Sequence, residues 1–142
     1  DGTYRLAPHD PIPFDVLERD MLIQPMIASV AAEGEYSLFY FGSTFSHAIL
    51  KKPAPGDFRV QEQFGGHEVH IEPPSPALAL AQVTLAAAPV APLYARIDMV
   101  RDDEDGGFRL MELEVIEPSL FLPFAPDGGQ LFTKAVLARI DA

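Results

Sequence analysis

The sequence predicts an α+β domain in which helices flank an antiparallel β-sheet. Two pairs of strand-like runs follow each other directly along the chain, each pair is joined by a turn, and two helical segments lie outside these pairs. Strands that adjoin in sequence usually pair as hairpins, so antiparallel pairing is expected. At 142 residues the chain is long enough for one domain, or for part of a larger one.

Both hairpins are indicated by turn residues between aromatic and β-branched runs. The first turn is Gly42-Ser43, and the second is the acidic stretch Asp102–Gly107. The four strands are predicted at 34–42, 44–52, 93–101 and 108–117.

The remaining elements are predicted from proline positions and from periodicity. The apolar run 21–24, which Pro25 ends, indicates a further short strand, and Ser75 is the expected N-cap of a central helix. On the last helix Leu131, Ala135 and Ala138 are expected to be buried. Helices are predicted at 13–19, 76–88 and 130–140, and a loop is predicted at 53–66.

Composition excludes several classes of protein. The net charge of −11 argues against binding to nucleic acid or to an anionic membrane. The absence of cysteine excludes disulfides, thiolate zinc sites, iron–sulfur clusters and cysteine nucleophiles. The uncharged run 73–95 contains five prolines, so it favours a buried helix over a membrane span. The first residues lack a secretory-signal pattern, and a cytoplasmic location is expected.

Two polar segments are interpreted as surface loops. His67-Glu68-Val69-His70 carries two histidines, but a helical zinc pair needs i, i+4 spacing and a helix, and this segment follows Gly65-Gly66. Asp102–Asp105 lies in the turn of the second hairpin, where a solvated loop is the simplest interpretation.

Three carboxylates are predicted to meet on one face of the second hairpin. Side-chain alternation places Arg96 and Asp98 on one face of the first strand, and Glu112 and Glu114 on one face of its partner. Asp98 then lies opposite Glu112 or Glu114, where like charges repel. Three explanations are open: a bound cation, raised proton affinities, or a solvated face with Arg96 and Arg109 as partners. Ligands that are all carboxylates select hard cations such as Mg²⁺.

Four motifs, in this order, resemble the ATP-grasp ligases of the glutathione synthetase-like branch. They are Leu22–Ile27, Gly34–Ser37, Ser46–Pro53 with Gly56–Arg59, and Tyr94–Asp98 with Met111–Ser119. The resemblance implies that residues 1–142 are the C-terminal portion of an ATP-grasp domain. It also implies that the first phosphate-binding part and a substrate domain lie upstream, so this segment alone is expected to be inactive.

The resemblance implies which residues meet the nucleoside of ATP. The hinge strand would meet adenine through the main chain of Pro25 and Ile27, and Glu35 would accept hydrogen bonds from the ribose hydroxyls. The implied nucleotide-binding residues are Gln24, Pro25, Met26, Ile27 and Glu35.

The resemblance also implies roles at the phosphates. Asp98, Glu112 and Glu114 would hold Mg²⁺ between the β- and γ-phosphates, and Arg96 would steady the transferred phosphoryl group. Lys51 and Arg59 would face the phosphates, although alternation alone does not decide whether Lys51 or Lys52 points inward.

Two departures from the family pattern bear on the substrate. Many relatives have Asn as the third metal ligand where this chain has Glu114, and relatives that join amino acids often continue with a Pro-Gly turn. This chain has Glu117-Pro118-Ser119-Leu120 instead. That ending is more similar to family members near the cycloserine-forming ligase.

The implied function is an ATP- and Mg²⁺-dependent ligase that forms C–N bonds. A carboxylate would attack the γ-phosphate, and an amine or similar nucleophile would displace the resulting acyl phosphate. Two alternatives stay open: a regulatory nucleotide- or metal-binding module without turnover, and an acidic metal-binding module without nucleotide. The expected partners are ATP and small-molecule carboxylate and amine-type substrates, not nucleic acid or membrane, and homo-oligomerisation is left open.

Overall fold

A five-stranded antiparallel sheet forms the centre of the structure, a computed structural model that describes residues 4–141. The strand order is β3-β2-β1-β4-β5, so the two hairpins lie side by side and β1 pairs with β4. The predicted α+β class is confirmed. The strands are β1 (Glu35–Phe41), β2 (Thr44–Lys52), β3 (His67–His70), β4 (Tyr94–Arg101) and β5 (Phe108–Glu114).

Within residues 4–141, three α-helices and three short 3₁₀ turns accompany the sheet. The two longer helices were both expected from the sequence, and the short α1 before the first strand was not. The helices are α1 (Ser29–Ala32), α2 (Ser75–Ala87) and α3 (Gln130–Ile140), and the 3₁₀ turns are Phe14–Val16, Glu62–Phe64 and Leu122–Phe124.

One face of the sheet carries the main hydrophobic core, against which α2 packs. Alanines of α2 meet the sheet and bring the helix close to it, since a small side chain keeps its backbone near the strands. Tyr36 and Phe108 meet edge to face, with their ring centroids 5.1 Å apart. The fully buried members of this core are Leu38, Ala48, Ala77, Ala81, Ala95, Ile97 and Met99.

The opposite face is divided into an apolar half and a polar half. At the apolar half Phe39 stacks on His47 and lies near Phe121, and Phe41 lies near Phe132 of α3. The segment from Leu120 to α3 therefore covers this end of the face. Beyond it, the same face carries the charged side chains that form the candidate site.

The predicted strand at 21–24 is wrong. Leu22 and Ile23 are each 88% exposed, and in residues 4–141 this segment joins no strand of the sheet. A short apolar run becomes a strand only where a sheet edge can pair with its backbone groups, and pairing of that kind is a tertiary property.

The loop interpretation of residues 67–70 is also wrong. They form β3, an edge strand that pairs with β2 from Ile49↔His70 to Lys52↔His67. The segment is polar because an edge strand is held by its backbone bonds and buries little of its side chains. This explains why its side-chain pattern gave no strand signal.

Several predicted boundaries also need correction. The helix expected at 13–19 is a single 3₁₀ turn, and β5 ends at Glu114 instead of 117. Pro74, not Ser75, is the N-cap of α2, without a side-chain capping bond. On α3, where burial was predicted for three residues, Leu131 and Ala135 are half-buried and Ala138 is exposed. Within residues 4–141, no helix combines the length and apolarity that crossing a membrane requires.

We expect Ile97→Ala to lower the free energy of unfolding by about 2–5 kcal/mol, because it leaves a cavity between the sheet and α2. Urea denaturation followed by circular dichroism measures this change. Val83→Ala is the matched control, since Val83 of α2 is 68% exposed, and its effect should stay within about 0.5 kcal/mol. Equal effects of the two substitutions would contradict this description of the core.

Candidate functional site

The carboxylate of Asp98 lies at the centre of the polar half of the sheet face. Its side chain is 3% exposed and is bonded on both oxygens. Oδ1 accepts a hydrogen bond from Ser37 Oγ and contacts Lys51 Nζ at 3.3 Å, and Oδ2 accepts from Arg96 Nε at 2.8 Å. A buried carboxylate is tolerated only when it is paired in this way.

Arg96 connects Asp98 to the two carboxylates of β5. Its Nη2 lies 2.7 Å from Glu114 Oε1 and 3.6 Å from Glu112 Oε2. The register explains these contacts, since Arg96 is opposite Glu114 and Asp98 is opposite Glu112. Asp98, Glu112 and Glu114 (the carboxylate trio) therefore lie close together on one face, as predicted, and Arg96 contacts all three.

Lys51 closes the other side of the site. Its Nζ lies 3.0 Å from Glu35 Oε1, in addition to its contact with Asp98. Lys51 is buried and Lys52 is exposed, so the structure decides which of the two lysines points inward. Ion pairs thus join two cations and four carboxylates in one network (the ion-pair network). Its members are Glu35, Lys51, Arg96, Asp98, Glu112 and Glu114.

Burial and mutual repulsion shift the pKa values of the network. Burial raises the pKa of Glu35 above its ordinary value, although Lys51 opposes the shift. Burial, then the charges of Glu114 and Asp98, raise the pKa of Glu112. Burial disfavours the charged form of Arg96, but the neighbouring carboxylates, Asp98 first, outweigh it and raise the pKa of Arg96. The site therefore holds more negative charge than its two cations offset.

The donor chemistry of the carboxylate trio suits a hard cation, since all its donors are carboxylate oxygens on two paired strands. In residues 4–141, however, no three His, Asp or Glu side chains are already arranged to hold a metal ion. Arg96 lies among the oxygens that a metal would need.

Two groups of predicted site residues do not join the network. Arg59 is bonded to Asp57 at 2.7 Å and lies over the ring of Phe64 at 3.8 Å, and no ion pair of the described residues links it to the network. Pro25 and Met26 of the predicted adenine-binding segment are exposed, and residues 24–27 form no hydrogen bond with a network side chain in the part of the chain described. Their roles stay predictions.

The sequence reasoning missed Ser37 and Asp103. Ser37 lies directly opposite Asp98 in the β1–β4 pairing and is fully buried. Because residues two apart in a strand share a face, its spacing from Glu35 could have placed Ser37 on the site face. Asp103 is not merely solvated, because its carboxylate accepts from the backbone N–H groups of Ala28 and Ser29 at 2.5 and 2.9 Å. It thus caps the start of α1, a contact that spans more than seventy residues of sequence.

His47 supports the site from the apolar half of the same face. Its Nε2 is 3.1 Å from the carbonyl oxygen of Leu120, and its ring stacks on Phe39 at 4.4 Å. Burial lowers the pKa of His47. These contacts identify His47 as a structural group of the sheet.

One curated relative shares substantial sequence with this chain. It is the cycloserine biosynthesis protein DcsG from Streptomyces lavendulae, 32% identical over 127 residues. The match covers 84% of this chain and 42% of the relative, so the chain spans less than half the length of that protein. No family model matches the sequence.

Solved structures share the fold. The crystal structure of D-cycloserine synthetase DcsG matches with a TM-score of 0.70 and 32% identity, over 82% of this chain and 41% of that chain. An ATP-grasp ligase associated with a Chryseobacterium gregarium RiPP, in complex with ADP and peptides, matches with a TM-score of 0.54, 14% identity and coverage of 76% and 33%. The resemblance to the ATP-grasp ligases is confirmed, and the fold is consistent with the C-terminal part of such an enzyme.

The raised pKa of Glu35 predicts a pH-dependent stability. The ordinary pKa of this carboxyl is 4.5, and in the folded state Glu35 keeps its proton to a higher pH. The free energy of unfolding therefore falls as the pH rises from 4.5 through the folded-state pKa. Above pH 4.5, Glu35→Gln should therefore reduce this fall, measured as the change with pH in the free energy of unfolding from urea denaturation. The control is Glu62→Gln at an exposed position. An unchanged or steeper fall in the Glu35 variant would contradict the assignment.

Proposed function

Because the chain shares its fold with ATP-grasp ligases, we propose that it is the C-terminal portion of the ATP-grasp domain of an ATP-dependent ligase. Residues 1–142 would supply the sheet face on which Mg·ATP binds. The observation that carries the proposal is the ion-pair network, in which a buried Asp98 is held between Lys51 and Arg96 beside two further carboxylates. A purely structural sheet face would be covered by apolar side chains, because buried charge of this density costs stability.

The proposed reaction proceeds in two steps. A carboxylate oxygen of the substrate attacks the γ-phosphorus of ATP, so that an acyl phosphate forms and ADP leaves. An amine or similar nucleophile then attacks the acyl carbon, inorganic phosphate leaves with the C–O bond electrons, and the nucleophile loses a proton. Protein groups contribute to phosphoryl transfer mainly by positioning and by neutralising charge.

The carboxylate trio is the proposed Mg²⁺ site. When bound, Mg²⁺ would neutralise charge on the β- and γ-phosphates, which favours transfer of the phosphoryl group. The need for a cation follows from charge, because four carboxylates face two protein cations in the ion-pair network. A bare triphosphate would be repelled by that excess of negative charge.

Two basic residues are proposed to contact phosphate oxygens. Arg96 has a planar guanidinium whose paired N–H groups fit phosphate oxygens, and its side chain retains 11% exposure toward the open side of the site. Lys51 lies deeper, between Glu35 and Asp98. Arg59 is the third proposed phosphate contact, and it would first have to leave Asp57, to which it is bonded at 2.7 Å.

The nucleoside of ATP is proposed to lie toward Glu35 and the segment Gln24–Ile27. One oxygen of Glu35 contacts Lys51, which leaves its second oxygen for the ribose hydroxyls. Pro25 lacks an N–H but keeps its carbonyl, and Ile27 retains a donor for adenine. The exposure of Pro25 and Met26 supports this role, because a nucleotide can reach their main chain.

The proposed substrates are a small carboxylate and an amine-type nucleophile. The likeness to D-cycloserine synthetase DcsG supports a small-molecule ligase. The ending Glu117-Pro118-Ser119-Leu120, which replaces the Pro-Gly turn of relatives that join amino acids, also supports a substrate site unlike theirs.

Isothermal titration of the complete protein with Mg·ATP tests the proposal. Asp98→Asn combined with Glu114→Gln removes two proposed metal ligands and should weaken binding about 10- to 100-fold. Asp105→Asn is the matched control, because Asp105 is also paired with an arginine but lies in the turn, and it should bind as the wild type does. Unchanged affinity in the double variant would contradict the proposal.

Release of ADP separates the ligase from the regulatory alternative. The complete protein, incubated with Mg·ATP and mixtures of amino acids, should release ADP only when an accepted carboxylate is present. Binding of Mg·ATP without any such release would favour a regulatory module of the same fold.

A further inference from the structure

The three proposed metal ligands share one protein cation. The guanidinium of Arg96 contacts Asp98 Oδ2 at 2.8 Å and Glu114 Oε1 at 2.7 Å, and Glu112 Oε2 lies 3.6 Å from the same nitrogen that meets Glu114. Arg96 thus stands in the space that the carboxylate trio encloses. Its side chain is 11% exposed, so this is a packed position and not a passing surface contact.

The arginine and a metal would need the same oxygens. Oδ1 of Asp98 is engaged by Ser37 and Lys51, so Oδ2 is the oxygen that could turn to a metal, and Arg96 holds it. Mg²⁺ binds its oxygen ligands at about 2.0–2.1 Å, which leaves no room for a guanidinium proton on the same lone pair. A cation that takes Asp98 Oδ2 and Glu114 Oε1 together must therefore displace Arg96.

We infer that Arg96 holds the metal site closed in the nucleotide-free protein, and that the divalent cation and the nucleotide phosphates can enter only together. This inference rests on the proposed function and adds an order of binding to it. Arg96 and the metal are alternative counterions of the carboxylate trio, and the phosphates receive the guanidinium when the metal replaces it.

Charge pairing explains why neither ligand suffices alone. A metal that enters by itself leaves Arg96 unpaired beside a second positive charge, and a triphosphate that enters by itself takes Arg96 away and faces bare carboxylates. When both enter, the metal pairs with the carboxylates and the guanidinium pairs with phosphate oxygens, for which its paired donors are suited. Each ligand then raises the affinity for the other by the same factor.

Arg96, not Lys51, is the residue that would move. Lys51 is held from behind by Glu35 and Asp98 at 3.0 and 3.3 Å, both of which are largely buried. Arg96 instead reaches toward Glu112, whose side chain is 55% exposed. The guanidinium can thus turn toward the open side of the site without crossing the sheet.

Binding of Mn²⁺, used as a paramagnetic substitute for Mg²⁺, tests this order without any measurement of activity. Electron paramagnetic resonance of free Mn²⁺ gives the dissociation constant of the complete protein in the absence of nucleotide. We expect Arg96→Gln to bind Mn²⁺ about tenfold more tightly than the wild type, because the competing counterion is gone. Adding Asp98→Asn to that variant should abolish the gain.

Arg109→Gln is the matched control. Arg109 also bridges two carboxylates of the same hairpin, Asp102 at 3.0 Å and Asp105 at 2.7 Å, but it lies at the turn. An equal gain in this variant would overturn the inference, because it would show that any exposed acidic pair collects Mn²⁺. Wild-type protein that binds Mn²⁺ as tightly as Arg96→Gln would also overturn it, and Mg·ATP binding in the titration above would still support the proposed function.

A measurement on the wild type does not depend on the folding of a variant. The Nε–H resonance of Arg96 in a ¹⁵N–¹H spectrum should keep its position with Mg²⁺ alone and shift when Mg²⁺ is added with a non-hydrolysable ATP analogue. A full shift with Mg²⁺ alone, at the same concentration, would overturn the inference.

Discussion

The buried carboxylate of Asp98 is the feature on which the rest of the site depends. It lies on the central part of the sheet, where burial makes an unpaired charge costly, so it requires cations beside it. Arg96 comes from its own strand and Lys51 from β2, across β1. Once these cations are present, Glu35 and Glu114 pair with them in turn, so the buried charge of Asp98 organises the polar half of this sheet face.

The sheet supplies the rigidity that such an arrangement needs. Its opposite face packs against α2 through a continuous apolar core, and the apolar half of the site face is closed by aromatic contacts such as Phe41 with Phe132. The hydrogen bond between His47 and the carbonyl of Leu120 ties the segment after β5 to β2. The charged half is therefore the part of this face that stays accessible, at the side where Glu112 is exposed.

Sequence patterns predicted the hairpins and the meeting of the carboxylates, because both follow from local rules. Turn residues at Gly42-Ser43 set the first hairpin, and strand alternation places Asp98 on the same face as Glu112 and Glu114. The prediction left open which of the two glutamates lies opposite Asp98, and the structure shows that it is Glu112. Features that depend on tertiary partners were not predictable. Residues 21–24 found no sheet edge, residues 67–70 became a strand through backbone pairing, and the position of Arg96 among the carboxylates depends on side-chain conformation.

We propose that the carboxylate trio and Arg96 form the site of a metal–nucleotide complex. A crystal structure of the complete protein with Mn²⁺ and a non-hydrolysable ATP analogue tests it most directly, because the anomalous signal locates the metal. We predict metal density bounded by Asp98, Glu112 and Glu114, with the Arg96 guanidinium on the phosphates. Nucleotide bound elsewhere, or Arg96 still bonded to Asp98 and Glu114 beside a bound metal, would contradict the account.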